Sequence, residues 1–101
     1  MSVSPIEGAS IAPGEHWQLR LYIAGMTPVA RRAISNVEAL CEARLAGRYT
    51  LTVVDLLQEP ARAEEAQIVA VPTLVREAPP PERRVVGDLS EPARAASGLG
   101  L

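Results

Sequence analysis

Few residues in this chain have side chains suited to chemistry. Cys41 is the single thiol and His16 the single imidazole among 101 residues. One cysteine excludes an internal disulfide and any CxxC redox pair, and a thiol and an imidazole far apart in sequence do not make a metal site. No serine stands in a useful arrangement with histidine and carboxylate, and no glycine-rich phosphate loop occurs. Glu64 and Glu65 are neighbouring carboxylates, but adjacent helix positions do not face each other, so they read as a solvated face and not as an acid/base pair. Arg31 and Arg32 fall near the start of a predicted helix, where cations are mildly unfavourable. They read as a solvated pair, with an exposed contact for an anion or an acidic partner as the functional alternative. Asp88 reads as a turn cap or a partner contact, and Thr27 as a helix cap. This inventory is that of a binding protein, with no catalytic residue, cofactor site or metal site.

Periodicity defines the elements that position these groups. Gln18 to Ala24 alternates so that Leu19, Leu21 and Ile23 share one strand face. Gly25-Met26 turns the chain, Thr27 suits an N-cap and Pro28 the first helical position. From Val29 to Ala46 the apolar positions Ala33, Ile34, Val37, Leu40, Cys41 and Leu45 form one stripe at three- and four-residue spacing, ending at Gly47. Cys41 lies in that stripe and reads as a packed core thiol. Tyr49 to Leu57 is rich in β-branched residues and predicts a strand buried on both faces, which makes the first unit a right-handed βαβ. Glu59-Pro60 opens a short polar helix through Gln67. Val71-Pro72 forms a constrained bend before a strand from Thr73 to about Glu77. Pro79-Pro80-Pro81 is a stiff connector. Arg83 to Asp88 resumes strand character, and Ser90 is the expected N-cap of a final helix that Gly98 and Gly100 weaken.

Residues 1–17 lack periodicity and read as a flexible tail, leaving 18–101 as one domain, with Trp17 packed against its edge. Hydrophobic residues make up 48% and aromatics 3%, so the core must come from Leu, Val, Ile and Ala. The formal charge is -2, and all ten basic residues are Arg with no cluster longer than two, which gives no footprint for nucleic acid. No apolar run approaches the roughly 20 residues that cross a membrane, and no leader pattern opens the chain. A cytoplasmic location is the expectation.

Strand, helix, strand, helix, proline bend, strand, strand, helix is a three-layer α/β order of the thioredoxin-like kind, βαβαββα. Beyond the order, the phrases Leu19-Arg-Leu-Tyr-Ile-Ala-Gly-Met-Thr-Pro28, Tyr49-Thr-Leu-Thr-Val-Val-Asp-Leu-Leu57, Ala61-Arg-Ala-Glu-Glu-Ala-Gln-Ile68, Val71-Pro-Thr-Leu74 and Pro79-Pro-Pro81 followed by Gly87-Asp-Leu-Ser90 resemble the KaiB family of circadian-clock proteins across residues 18–101. That resemblance implies a non-enzymatic regulatory adaptor for the N-terminal ATPase ring of a KaiC-type ATPase, with KaiA-like and SasA-like clock components as further partners. A sensing domain of a histidine kinase is the alternative, and no kinase segment accompanies these residues. A thioredoxin-fold redox enzyme is third, but the turn Ala24-Gly25-Met26-Thr27-Pro28 carries no thiol.

The family is also metamorphic, so the resemblance implies a second packing, a βαββααβ ground state in a tetramer. The positions that would act as hinges are Pro72, Pro79, Pro80, Pro81, Gly87, Asp88, Gly98 and Gly100, and the exposed charged residues Arg31, Arg32, Glu64 and Glu65, read from the sequence alone, are the candidate partner contacts. Met26 stands where relatives carry asparagine, and Gly100 where Asp is common. In the ground state the C-terminal segment must be a strand, yet Pro92, an Ala-rich run and two glycines favour helix or turn. Local propensity leans to the thioredoxin-like state by roughly 1 kcal/mol, so that state and a monomer are expected to dominate.

Overall fold

The computed structural model describes residues 15–101 and orders them as β1 (Trp17–Ile23), α1 (Pro28–Leu45), β2 (Tyr49–Asp55), α2 (Ala61–Glu65), β3 (Thr73–Ala78), β4 (Arg83–Val86) and α3 (Pro92–Leu99). The first fourteen residues of the expected tail lie outside the described residues. β1 starts one residue earlier than expected, because Trp17 is buried and its N–H donates to Arg48 O at 2.8 Å.

The sheet order is β2-β1-β3-β4. β1 and β2 run parallel in register from Trp17 opposite Tyr49 to Ile23 opposite Asp55, and β3 is antiparallel to both β1 and β4. Period-two alternation divides β1 between two cores. Leu19, Leu21 and Ile23 meet Ala33, Val37, Cys41 and Leu45 of α1, and Ala95, Ala96 and Leu99 of α3. Tyr22 turns to the opposite face with Val54 and Val75, covered by Leu56, Ala66 and Ile68 around α2. The result is α1 and α3, sheet, then α2: three layers, as the element order predicts.

Three local expectations need correction. β2 is an edge strand, not one buried on both faces: Val54 is its one buried residue, and Thr50, Thr52 and Val53 are exposed. The physical cause is its place at the end of the sheet order, with only β1 beside it, so that Val53 on the α1 face and Thr50 and Thr52 on the α2 face are both left exposed. Ser90 is not the cap of α3. Glu91 holds that position in extended geometry without a side-chain cap bond, and the Ser90 side chain is engaged with the Asp88 carboxylate, which also accepts from Ser90 N at 3.1 Å. Gly100 does not weaken α3 but ends it: at φ 82° it closes a Schellman turn, with Leu101 N donating to Ala96 O at 2.8 Å and Gly100 N to Ser97 O at 3.0 Å. Gly98 lies inside α3, where an added Cβ would come within 2.7 Å of Val85 Cγ2.

Candidate docking surface at the first helix and the proline loop

The turn after β1 is built by one carboxylate. Asp55 Oδ1 accepts from Gly25 N at 3.0 Å and from Leu57 N at 2.9 Å, tying the end of β2 to the start of α1. Gly25 adopts φ 79°, and a Cβ there would meet Leu57 Cδ1 at 3.0 Å. Thr27 then caps α1 as expected, its Oγ1 accepting from Ala30 N at 3.1 Å, with Pro28 in the first turn. Facing this helix start is the loop before β3. The Val71-Pro72 bond is cis, Thr73 Oγ1 donates to Ala70 O at 2.6 Å, and Pro72 O accepts from Gly87 N at 2.9 Å.

Between the two segments lies a cavity of about 210 Å3 whose walls include Ile23, Ala24, Thr27, Val29, Val71 and Pro72. None of these side chains titrates. An oxidoreductase of this architecture needs a thiol here, where the helix dipole lowers its pKa. Cys41 is instead in the core face of α1, 1% exposed, and burial together with Glu42 and Glu38 pushes its thiol up to about 11. Among the described residues no group of His, Cys, Asp and Glu is placed to hold a metal ion.

The expected contact residues fall into two separate places. Arg31 and Arg32 are exposed on α1, on the inner-core side of the sheet, and Glu64 and Glu65 are exposed on α2, on the other side. They form no common patch. Arg32 is not simply solvated: its Nε lies 3.5 Å from Asp88 Oδ2, while Asn36 Nδ2 donates to Asp88 O at 2.8 Å. Asp88 thereby pins the β4–α3 loop to α1. Hydrogen bonds from the Ser90 side chain and backbone, with Arg32 beside it, hold the Asp88 carboxyl below the usual carboxylate range. Gly87 precedes it at φ 116°.

The proline run surrounds a residue that sequence reasoning missed. Arg76 is 7% exposed. It donates through Nη1 to Leu99 O at 2.6 Å, through Nε to Pro79 O at 2.8 Å and through Nη2 to Pro80 O at 3.4 Å. Its guanidinium carbon also sits 4.4 Å from the Trp17 ring centre. One cation thus joins β1, β3, the bend with cis Ala78-Pro79 and cis Pro80-Pro81, and the end of α3. The signal was available: Leu74 and Arg76 share a strand face, and Leu74 is core. Arg84 plays a smaller part on the outer face, donating to Ala66 O at 2.5 Å and Gln67 O at 2.9 Å at the end of α2.

Residues 20–101 match the family described as the KaiB domain. The chain is 43% identical over 91 residues to the circadian clock oscillator protein KaiB of Synechococcus sp. (strain RCC307), covering 90% of this chain and 83% of that one. It is 45% identical over 83 residues to the protein of the same name from Prochlorococcus marinus subsp. pastoris (strain CCMP1986), covering 82% and 78%. In fold it is similar to the N-terminal domain of Synechococcus elongatus SasA, with a TM-score of 0.70 at 20% identity over 92% of this chain and 94% of that one. Mitochondrial thioredoxin 3 of Saccharomyces cerevisiae follows at 0.67 and 16% identity, over 85% and 78%.

Proposed function

This chain belongs to the KaiB family, and from that premise we propose that it is a non-enzymatic clock adaptor that binds the N-terminal ATPase ring of a KaiC-type ATPase in its thioredoxin-like state. The observation that carries this reading is the KaiB match over residues 20–101 on a βαβαββα fold. At its α1 turn, where redox chemistry would need a thiol, the chain has Met26 and Thr27. KaiA-like and SasA-like components are the further partners, and the work is done in the cytoplasm. Arg31, Arg32, Glu64 and Glu65 are the proposed contacts. Pro72, Pro79, Pro80, Pro81, Gly87, Asp88, Gly98 and Gly100 are the proposed hinges of exchange with the ground-state packing. Co-elution of the full chain with a KaiC-type hexamer, with and without ATP, tests the reading. A shared peak in either condition is the expected result, and separate peaks in both would overturn it.

A further inference from the structure

The outer face of the sheet is only partly covered. Leu56, Ala66 and Ile68 around α2 shelter the end where Tyr22 meets Val54 and Val75, and beside them opens a cavity of about 380 Å3 between the end of α2 and strands β1, β3 and β4. Small-molecule sites have volumes of roughly 300 Å3 and upward. Tyr22 forms part of the cavity wall. Alternation along β1 sends its ring to the α2 side, where the residue is 1% exposed, yet among the described residues its hydroxyl has no hydrogen-bond partner. Buried hydroxyls are nearly always bonded, so one left over at a cavity wall marks where a polar group of a ligand belongs.

The remaining walls carry charge of both signs, from Arg20, Arg62 and Arg84 and from Glu65, Glu77 and Glu82. Arg84 is fully engaged: its Nε donates to Glu82 Oε2 at 2.9 Å and its two Nη groups to Gln67 O and Ala66 O. Arg20 uses Nε on Glu77 Oε1 at 3.2 Å, and Arg62 uses Nη1 on Glu59 Oε1 at 2.9 Å, with Nε 3.9 Å from Glu65 Oε1. Among the described residues, both Nη groups of Arg20 and Nη2 of Arg62 remain as donors, and the second oxygens of Glu65 and Glu77 remain as acceptors. Three arginines against three glutamates give the lining no net charge, so its field favours neither a simple anion nor a simple cation. The free donors fit a carboxylate, and the free acceptors fit an ammonium group.

We propose that this cavity binds a small zwitterion, a molecule with one carboxylate and one ammonium group. The carboxylate takes bonds from Arg20, Arg62 and the Tyr22 hydroxyl, and the ammonium faces Glu65 and Glu77. The site lies across the sheet from α1 and does not depend on the adaptor reading. The test titrates 15N-labelled full chain near neutral pH with glycine, β-alanine and 4-aminobutanoate, zwitterions of increasing charge separation, and with butanoate and butylammonium, which each carry one of the two charges. At least one zwitterion is expected to shift the amides of Tyr22, Gln67 and Glu77. The singly charged molecules forgo one set of charge-assisted bonds and should bind about tenfold more weakly or worse. Tyr22→Phe deletes only the unpartnered hydroxyl, so it should leave the unfolding midpoint of the free chain no lower and weaken the best-bound zwitterion about fivefold. Arg20→Gln should weaken the same zwitterion about tenfold. Amides unmoved by every zwitterion, equal shifts with the singly charged molecules, a midpoint lowered by Tyr22→Phe, or an affinity unaltered by it would overturn the proposal.

Discussion

Arg76→Met is the sharpest test of how the C-terminal helix is held. The substitution keeps the aliphatic stem and removes the guanidinium from Leu99 O, Pro79 O and Pro80 O and from the Trp17 ring. Hydrogen bonds from a charged donor contribute about 1.5–3 kcal/mol each, and a desolvated cation over an indole about 1–2 kcal/mol. Opposing them is the cost of burying a cation that no carboxylate among the described residues pairs with, several kcal/mol by itself. Methionine relieves that cost but leaves two short-bonded carbonyls without their donor. Pro79 is half-buried, and Leu99 O adjoins the exposed Gly100, so water recovers part of the loss. The expected net destabilisation is about 2 kcal/mol, a factor of roughly 30 in the folding equilibrium. Denaturant unfolding reads the total, and hydrogen exchange reads its location. The Gly100 and Leu101 amides, which close the end of α3, should lose more protection than those of α1. Arg76→Lys, which reaches one carbonyl at a time, should recover about half. A change below about 0.5 kcal/mol, or equal loss of protection in α1 and α3, would refute the assignment of Arg76 as the clamp of this helix.

The Cys41 thiol, pushed up to about 11, should resist a thiol reagent at pH 8 and become modified only as fast as the chain unfolds; prompt modification would contradict its place in the core. Asp88 has a native pKa below its unfolded value, so its contacts stabilise the fold above the unfolded value near ~3.9 and are lost as pH falls through the lower native one. The stability difference between the parent and Asp88→Asn should therefore shrink in acid titrations below about pH 4, and a difference constant with pH would exclude the mechanism. Sedimentation of the full chain should give a species near the 10.8 kDa chain mass, and a tetramer with a C-terminal β-strand would show that the lean toward helix in α3 does not decide the packing.

What the sequence made legible was whatever local chemistry decides. Thr27-Pro28 starts α1 because a hydroxyl can satisfy the Ala30 N–H and proline has no N–H to leave unpaired. The three- and four-residue spacing from Ala33 to Leu45 has one apolar face to bury, and the structure buries it. The errors came where burial depends on a distant segment. Tyr49–Asp55 has the composition of a central strand, yet its place at the end of the sheet order leaves it an edge. Ser90 has the composition of a cap, but its side chain is bonded to the Asp88 carboxylate.

Arg76 and the apolar cavity were missed for related reasons. An arginine in a strand reads as solvent-facing by residue type, whereas the alternation with Leu74 assigns it to the core side, and pattern should outrank type when the two conflict. Its acceptors are carbonyls of Pro79, Pro80 and Leu99, and backbone groups leave no trace in a sequence. Met26, Leu57 and Val71 each read as a minor local choice, in a turn, at a strand end and before a proline. Their sum becomes visible only when the parallel pairing of β1 with β2 and the antiparallel pairing of β1 with β3 bring those three chain positions to one end of the sheet. In this fold that end is where the helix dipole and the proline loop converge. A thiol there would suit redox chemistry; this chain instead has a cavity walled there by Ile23, Ala24, Thr27, Val29, Val71 and Pro72, none of which titrates.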